Sequence, residues 1–177
     1  MVDSTFTASS TDAIDNDIDI DTLDNGSNST AETIEPEVKP HLILALDYGV
    51  KKMGMALGNN ITQTARAFDI LAMNNGQPDW DNLIGIIKVW GVAQVVVGLP
   101  LNMDGTNQEV TFKAKKFANR LHNHYGLPVE TQDERLTTAD AKARLFEQGG
   151  YRSLGKGNVD NMSAVIILES FFEQAYG

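Results

Sequence analysis

Apolar positions first become dense at residue 41. "HLILALDY" and "MGMALGN" are short apolar runs separated by a glycine-containing polar turn, and "ARAFDILAM" follows after a second turn. Three such runs in succession predict an antiparallel meander. "PDWDNLIGIIKVW" changes period: Leu83, Ile86, Ile87 and Trp90 fall at helical spacing, with Pro78 or Asp79 at the start. "VAQVVVGLP" is a continuous β-branched run stopped by Gly and Pro, which predicts a buried strand. From about Gln108 to His124, Val110, Ala114, Phe117 and Leu121 line one side of a helix, with Lys113, Lys116 and Arg120 on its flank. "LPVETQDE" reads as another strand. "TTADAKARLFEQ" reads as a helix with Thr137 as N-cap and Asp140 three residues on, in the manner of a capping box. "GGYRSLGKGN" is a glycine-rich basic loop, and "VDNMSAVIILESFFEQAY" a final buried helix.

A three-strand meander followed by alternating helices and strands predicts an α/β domain with a mixed five-stranded sheet, antiparallel first and parallel after, and helices on both faces. That is the layout of a ribonuclease H-like domain.

Composition divides the chain in two. The whole carries a net charge of −10, but Met1 to Pro40 hold seven Asp, three Glu and one Lys, a net of −9, which leaves −1 for the remainder. "TDAIDNDIDIDTLDNGSNST" alternates Asp and Ile without a dense apolar pattern, and predicts a disordered acidic arm over 1–40 ahead of a domain over 41–177. Such an arm is either a solvated linker or a competitor of nucleic acid for a basic surface. The absence of cysteine excludes disulfides and thiolate metal sites. The three histidines do not form H-E-x-x-H, which speaks against a zinc protease. No apolar run approaches a membrane span and no secretory signal is visible, so the expected location is the cytoplasm.

The candidate chemistry lies in carboxylates at element ends. Asp47 closes the first strand, Asp133 and Glu134 close the last, and Asp160 opens the final helix. Clustered carboxylates are stable near neutral pH around a hard divalent cation, and two such ions can activate water and steady the leaving oxygen of a phosphodiester. Each acid also has a structural reading. Asp47 could cap the turn at Gly49, and Asp160 could be an N-cap, although Asp160, Ala164, Ile167 or Leu168, and Phe171 share one helical face. Asp133 and Glu134 point to opposite sides of a strand, so only one can join a given cluster, and their neighbours do not decide which. Lys113, Lys116 and Arg120, with Arg135, Arg144, Arg152 and Lys156 in or near the candidate segments, give a basic face suited to phosphates or to solvent.

Four segments together resemble a known family: "ALDYGVKKMGMALGN", "VVVGLPLNMDGT", "DERLTTADA" with "LFEQGGYRSLGKG", and "VDNMSAVIILESFF". In this order and spacing they resemble the YqgF family, also called RuvX, Holliday junction resolvase-like proteins assigned as pre-16S ribosomal RNA nucleases. The resemblance runs from His41 to Tyr176. It implies a ribonuclease H-like fold and cleavage of phosphodiesters with Mg²⁺ or Mn²⁺ in a two-metal site held by Asp47, Glu134 and Asp160. Arg135, next to Glu134, becomes a candidate phosphate contact, and Lys51, Lys113, Lys116, Arg120, Arg152 and Lys156 further substrate contacts. Asn102, Asp104 and Thr106 would lie in a loop beside the site. The implied substrate is structured RNA, a pre-16S rRNA or pre-ribosomal particle, with branched DNA as the alternative. Two other readings are a non-catalytic ribosome-assembly factor and an actin-like ATPase, whose phosphate loop "DYGVKKMG" also resembles but whose two-domain length the chain lacks. Val50 and Asp140 depart from the family pattern, in which a hydroxyl residue and a glutamate are usual.

Overall fold

A computed structural model of the chain describes residues 38–135, 143, 147 and 156–177, with side chains from 161 onward in the last stretch. Most of the expected acidic arm lies outside these residues. So do the glycine-rich loop up to residue 155 and all but two positions of the helix expected over "TTADAKARLFEQ".

The meander forms as the apolar runs predict. Strands β1 (Leu42–Asp47), β2 (Lys52–Asn59) and β3 (Thr64–Asn74) pair antiparallel, with Asp47 opposite Gly54 at the turn end of the first pair. The sheet has six strands rather than five. Asn75 and Gly76 both take left-handed backbone, φ +49° and +79°, the geometry of a two-residue hairpin turn. They fold the two-residue strand β4 (Gln77–Pro78) back onto β3. This hairpin braces the turn that follows Asp47. Gly76 N–H donates to Val50 O and Met73 N–H to Lys51 O, both at 2.9 Å, and the buried Tyr48 hydroxyl donates to Gly76 O at 2.8 Å.

Helix α1 (Trp80–Trp90) starts where Asp79 accepts from Asn82 N–H at 3.2 Å and stops at Gly91. It leads to β5 (Val92–Leu99), parallel to β1. Helix α2 (Glu109–Tyr125) opens on a reciprocal cap between Gln108 and Thr111 and leads to β6 (Val129–Asp133), parallel to β5. The strand order is β4-β3-β2-β1-β5-β6. The last helix, α3, spans Lys156–Tyr176. It begins four residues before Asp160, so Asp160 falls within the second turn rather than at the cap.

Side-chain alternation puts a core on each face of the sheet. Leu44, Leu46, Met53, Met55, Val95 and Val97 pack against Leu83 and Ile87 of α1 and Ala114, Phe117 and Leu121 of α2. Ile43, Ala45, Ala56 and Val96 pack against Ala164, Ile167, Leu168, Phe171 and Phe172 of α3. Gly58 lets α3 approach, because a Cβ there would lie 2.8 Å from Leu168 Cδ2 and 2.9 Å from Phe172 Cε2.

Candidate active site

Strand parity decides which acids meet. Ile43 and Ala45 face α3, so Asp47, two residues on, belongs to that face at the end of β1. On β6, the buried Gln132 donates from Nε2 to Ser170 Oγ of α3 at 3.1 Å. Glu134, two residues further, therefore turns toward α3 as well. Its own N–H donates to Leu99 O at 3.2 Å and extends the ladder one residue past the strand. The space for its side chain exists because residue 98 is glycine: a Cβ there would collide with Glu134 Oε1 and with Ile167 Cδ1. Glu134 Oε1 is shielded from solvent. Burial first, then the neighbouring charges of Asp47 and Asp133, push the Glu134 carboxyl up to about 8.

Asp133 has the opposite fate. Arg135 grips it through Nε at 2.8 Å and Nη2 at 2.5 Å, and the Arg135 N–H donates to it at 3.0 Å. These bonds hold the Asp133 carboxyl below its ordinary range. The two adjacent acids are thus separated in role by the pleat: Asp133 is committed to an arginine, and Glu134 faces Asp47.

Asp47 lines an open depression with Tyr48, Gly49, Val50, Lys51, Lys52 and Gly54. Gly49 is required here, since a Cβ would strike Lys52 O. The exposed Lys51 stands on the same turn. The backbone of Asp160 lies in α3, which packs over this face of the sheet, but its side chain and that of Lys156 fall outside the described residues, as does Arg152 entirely. Among the described residues no group of three or more His, Cys, Asp and Glu gathers closely enough to hold a metal ion.

The basic residues are not all together. Lys113, Lys116 and Arg120 lie on α2, which packs on the other face of the sheet. Lys113 pairs with Glu109 at 2.7 Å. Arg120 lays its guanidinium 4.6 Å over the Trp80 ring and donates to Gln77 Oε1 at 3.0 Å. Lys116 is exposed. Arg135 stays with the carboxylates, packed where Gly105, at φ +85°, leaves room for its Nη1. The loop that places Gly105 is closed on itself: Asn102 donates to Thr106 Oγ1 at 2.8 Å, and Thr106 donates to Asp104 Oδ1 through its hydroxyl at 2.6 Å and its N–H at 2.9 Å. These bonds, with the Arg135 charge, lower the Asp104 carboxyl. Asn102, Asp104 and Thr106 therefore build the loop that supports Arg135. The contributions of Gly98 and Gln132 were missed in the sequence: the glycine of "VVVGLP" reads there only as a strand stop.

A mixed sheet in the order β4-β3-β2-β1-β5-β6, helices on both faces, and a carboxylate pair where β1 and β6 end define a ribonuclease H-like domain. The chain belongs to the RuvX family: the family model described as Holliday junction resolvase matches residues 41–174. A relative from Pseudoalteromonas translucida named "Putative pre-16S rRNA nuclease" is 64% identical over 135 residues, covering 76% of this chain and 91% of the relative. A relative of the same name from Psychrobacter arcticus is 54% identical over 177 residues, covering 97% of this chain and 92% of its own, so that alignment reaches into the acidic arm. Among solved structures, T. thermophilus RuvC in complex with Holliday junction substrate matches with a TM-score of 0.48 at 12% identity over 77% of this chain and 96% of that one. No described helix is long and apolar enough to cross a membrane.

Proposed function

We propose that the chain is a cytoplasmic, metal-dependent endonuclease that hydrolyses phosphodiester bonds and matures the 5′ end of pre-16S rRNA. The observation that carries this reading is the placing of Asp47 and Glu134 on one face of the sheet, with the Glu134 carboxylate drawn under α3. Two carboxylates held against each other's charge fit a hard divalent cation, which prefers oxygen donors. Asp47, Glu134 and, from α3, Asp160 would hold Mg²⁺ or Mn²⁺. Bound there, such ions supply charge stabilisation at the phosphoryl oxygens and a water of lowered pKa.

The residues of the chain do the rest. Glu134 gives up the proton on its buried carboxyl when the site fills, and so couples binding to pH. The braced turn holds the backbone that follows Asp47. Lys51 reaches a phosphate from the same turn, and Arg135, fixed by Asp133, offers its outer guanidinium N–H groups to another. The acidic arm over 1–40 lies outside this catalytic domain of 41–177. The RuvX family model is described as a Holliday junction resolvase, which favours branched DNA as a second substrate of the same site.

The deciding experiment compares the full chain with its Asp47→Asn variant on a labelled 16S precursor and on a four-way DNA junction, with Mg²⁺ or Mn²⁺. The expected result is a single cut in the precursor by the parent and intact RNA with the variant, which still binds. A 2′-deoxy substitution at the scissile position should block an RNA-specific enzyme. Equal cleavage by both proteins would place the active site elsewhere.

A further inference from the structure

The outer face of α2 carries an aromatic residue that the core does not use. The buried line of this helix is Thr111, Ala114, Phe117, Ala118 and Leu121, and Phe112 points away from it, 60% exposed. One turn on, at i+4, stands Lys116, on the same side of the helix. Lys113 and Lys115 flank the pair. The helix Glu109–Tyr125 holds four Lys and Arg residues and one acid, Glu109, which pairs with Lys113 at 2.7 Å.

Helix α2 packs on the sheet face opposite Asp47 and Glu134, but its first turn is tied to the end of the sheet that bears them. The Thr111 hydroxyl donates to Pro100 O, which ties the first turn of α2 to the end of β5. The adjoining Leu99 O accepts the Glu134 N–H at 3.2 Å. Met103, 87% exposed, sits in the loop that the Asn102–Asp104–Thr106 bonds hold shut, so it too is displayed by a closed structure.

We infer that Phe112 and Lys116 form a platform for an unpaired nucleotide of the strand entering the active site, the ring stacking on the base and the ammonium meeting a flanking phosphate. This rests on the nuclease reading above and adds a substrate class to it: a single-stranded stretch beside the cut. In a duplex each base face is covered by its neighbours, so a single exposed ring can stack only on a base already out of the helix. The surroundings favour nucleic acid over a protein partner. Lysine is depleted from the centres of protein interfaces, whereas lysine beside an exposed aromatic ring is the composition of a single-strand groove.

The test is binding of the full chain, in chelator so that nothing is cut, to a labelled single-stranded RNA and to the same sequence as a duplex. Phe112→Ala is expected to weaken single-strand binding about tenfold and duplex binding by less than about twofold. Phe112→Trp should restore affinity, and its added indole emission should fall on binding the single strand. Lys116→Ala should weaken both ligands and reduce the salt slope by about one. Full single-strand affinity in Phe112→Ala, an equal loss on both ligands, or an unquenched Phe112→Trp overturns the inference. So does a change of mass by light scattering in Phe112→Ala, which would make the face a protein contact. Because binding is read without cleavage, the two readings fail separately. An inert nuclease that keeps Phe112-dependent binding sinks only the catalytic reading, and a parent that cuts at the same KM as Phe112→Ala sinks only the platform.

Discussion

The carboxylate of Glu134 occupies the volume that a side chain on residue 98 would fill, with Ile167 of α3 closing the same space. A strand glycine, a strand-end acid and a helix isoleucine therefore form one packing unit. The position of the acid depends on the absence of a Cβ on the neighbouring strand.

Gly98→Ala should displace both partners at once. Overpacking of this kind costs about 1–3 kcal/mol, and here part of the relief must come from Glu134 swinging off its position. Thermal melts should show the loss of stability, and titration with Mn²⁺ followed by melting should show a weakened stabilisation by the ion. A variant that melts lower but gains as much from Mn²⁺ as its parent would separate the packing from the site.

Arg120 lies on the basic flank that the sequence offers to phosphates, yet its guanidinium sits on Trp80 and bonds to Gln77. Arg120→Ala should cost stability, about 0.5–1 kcal/mol for an exposed cation–π contact plus lost packing. RNA affinity should fall by less than it does in Lys116→Ala. Chemical denaturation beside RNA binding on both variants gives the comparison. A stable Arg120→Ala protein with the larger loss of affinity would return the residue to the substrate.

Asn161 is 9% exposed, and its Oδ1 is buried with no hydrogen-bond partner among the described residues. A buried acceptor left in that state costs about 1–3 kcal/mol, and an apolar side chain of similar shape removes the cost. Asn161→Leu is therefore expected to raise the melting temperature in chelator by roughly 2–4 °C. A lower melting point would mean that the carboxamide holds α3 in place.

Much of this arrangement was legible in the chain. The apolar periods gave the meander, the parallel strands and all three helices described, because one buried face per strand or two buried faces leave distinct patterns. The sixth strand was not read: Asn75-Gly76 is a hairpin signal, but two residues are too few for a strand pattern. Asp47 could be picked out because an acid ending an apolar strand is costly. The choice between Asp133 and Glu134 could not be made from their neighbours, since Val129 and Thr131 say as little as Glu130 and Gln132. It came from the resemblance, and in the structure it depends on contacts across the sheet: Gln132 with Ser170, and Glu134 against Gly98. The basic stripe on α2 was a correct reading of a helix face, but a face carries no information about which lysine or arginine finds an aromatic ring.

The pH dependence of stability follows from the same pair of acids. Burial and the Asp47 charge raise the Glu134 carboxyl from 4.5 to about 8 in the folded chain. Between these values the folded state keeps a proton that the unfolded state has lost. Without divalent cations, stability should therefore fall as pH rises through this window, by up to ~1.4 kcal/mol per pH unit. Asp133 works in the other direction, but its carboxyl is lowered below 3.8, so its contribution disappears only under more acidic conditions and does not mask the slope. In the proposed site Mg²⁺ or Mn²⁺ would bind the ionised carboxylate, so the ion should stabilise the protein more at about pH 8 than at about pH 6. Melting curves across this range, in chelator and with each ion, test both statements. Glu134→Gln should flatten the slope and abolish the pH-dependent gain. A slope that survives in Glu134→Gln would assign the proton to another group.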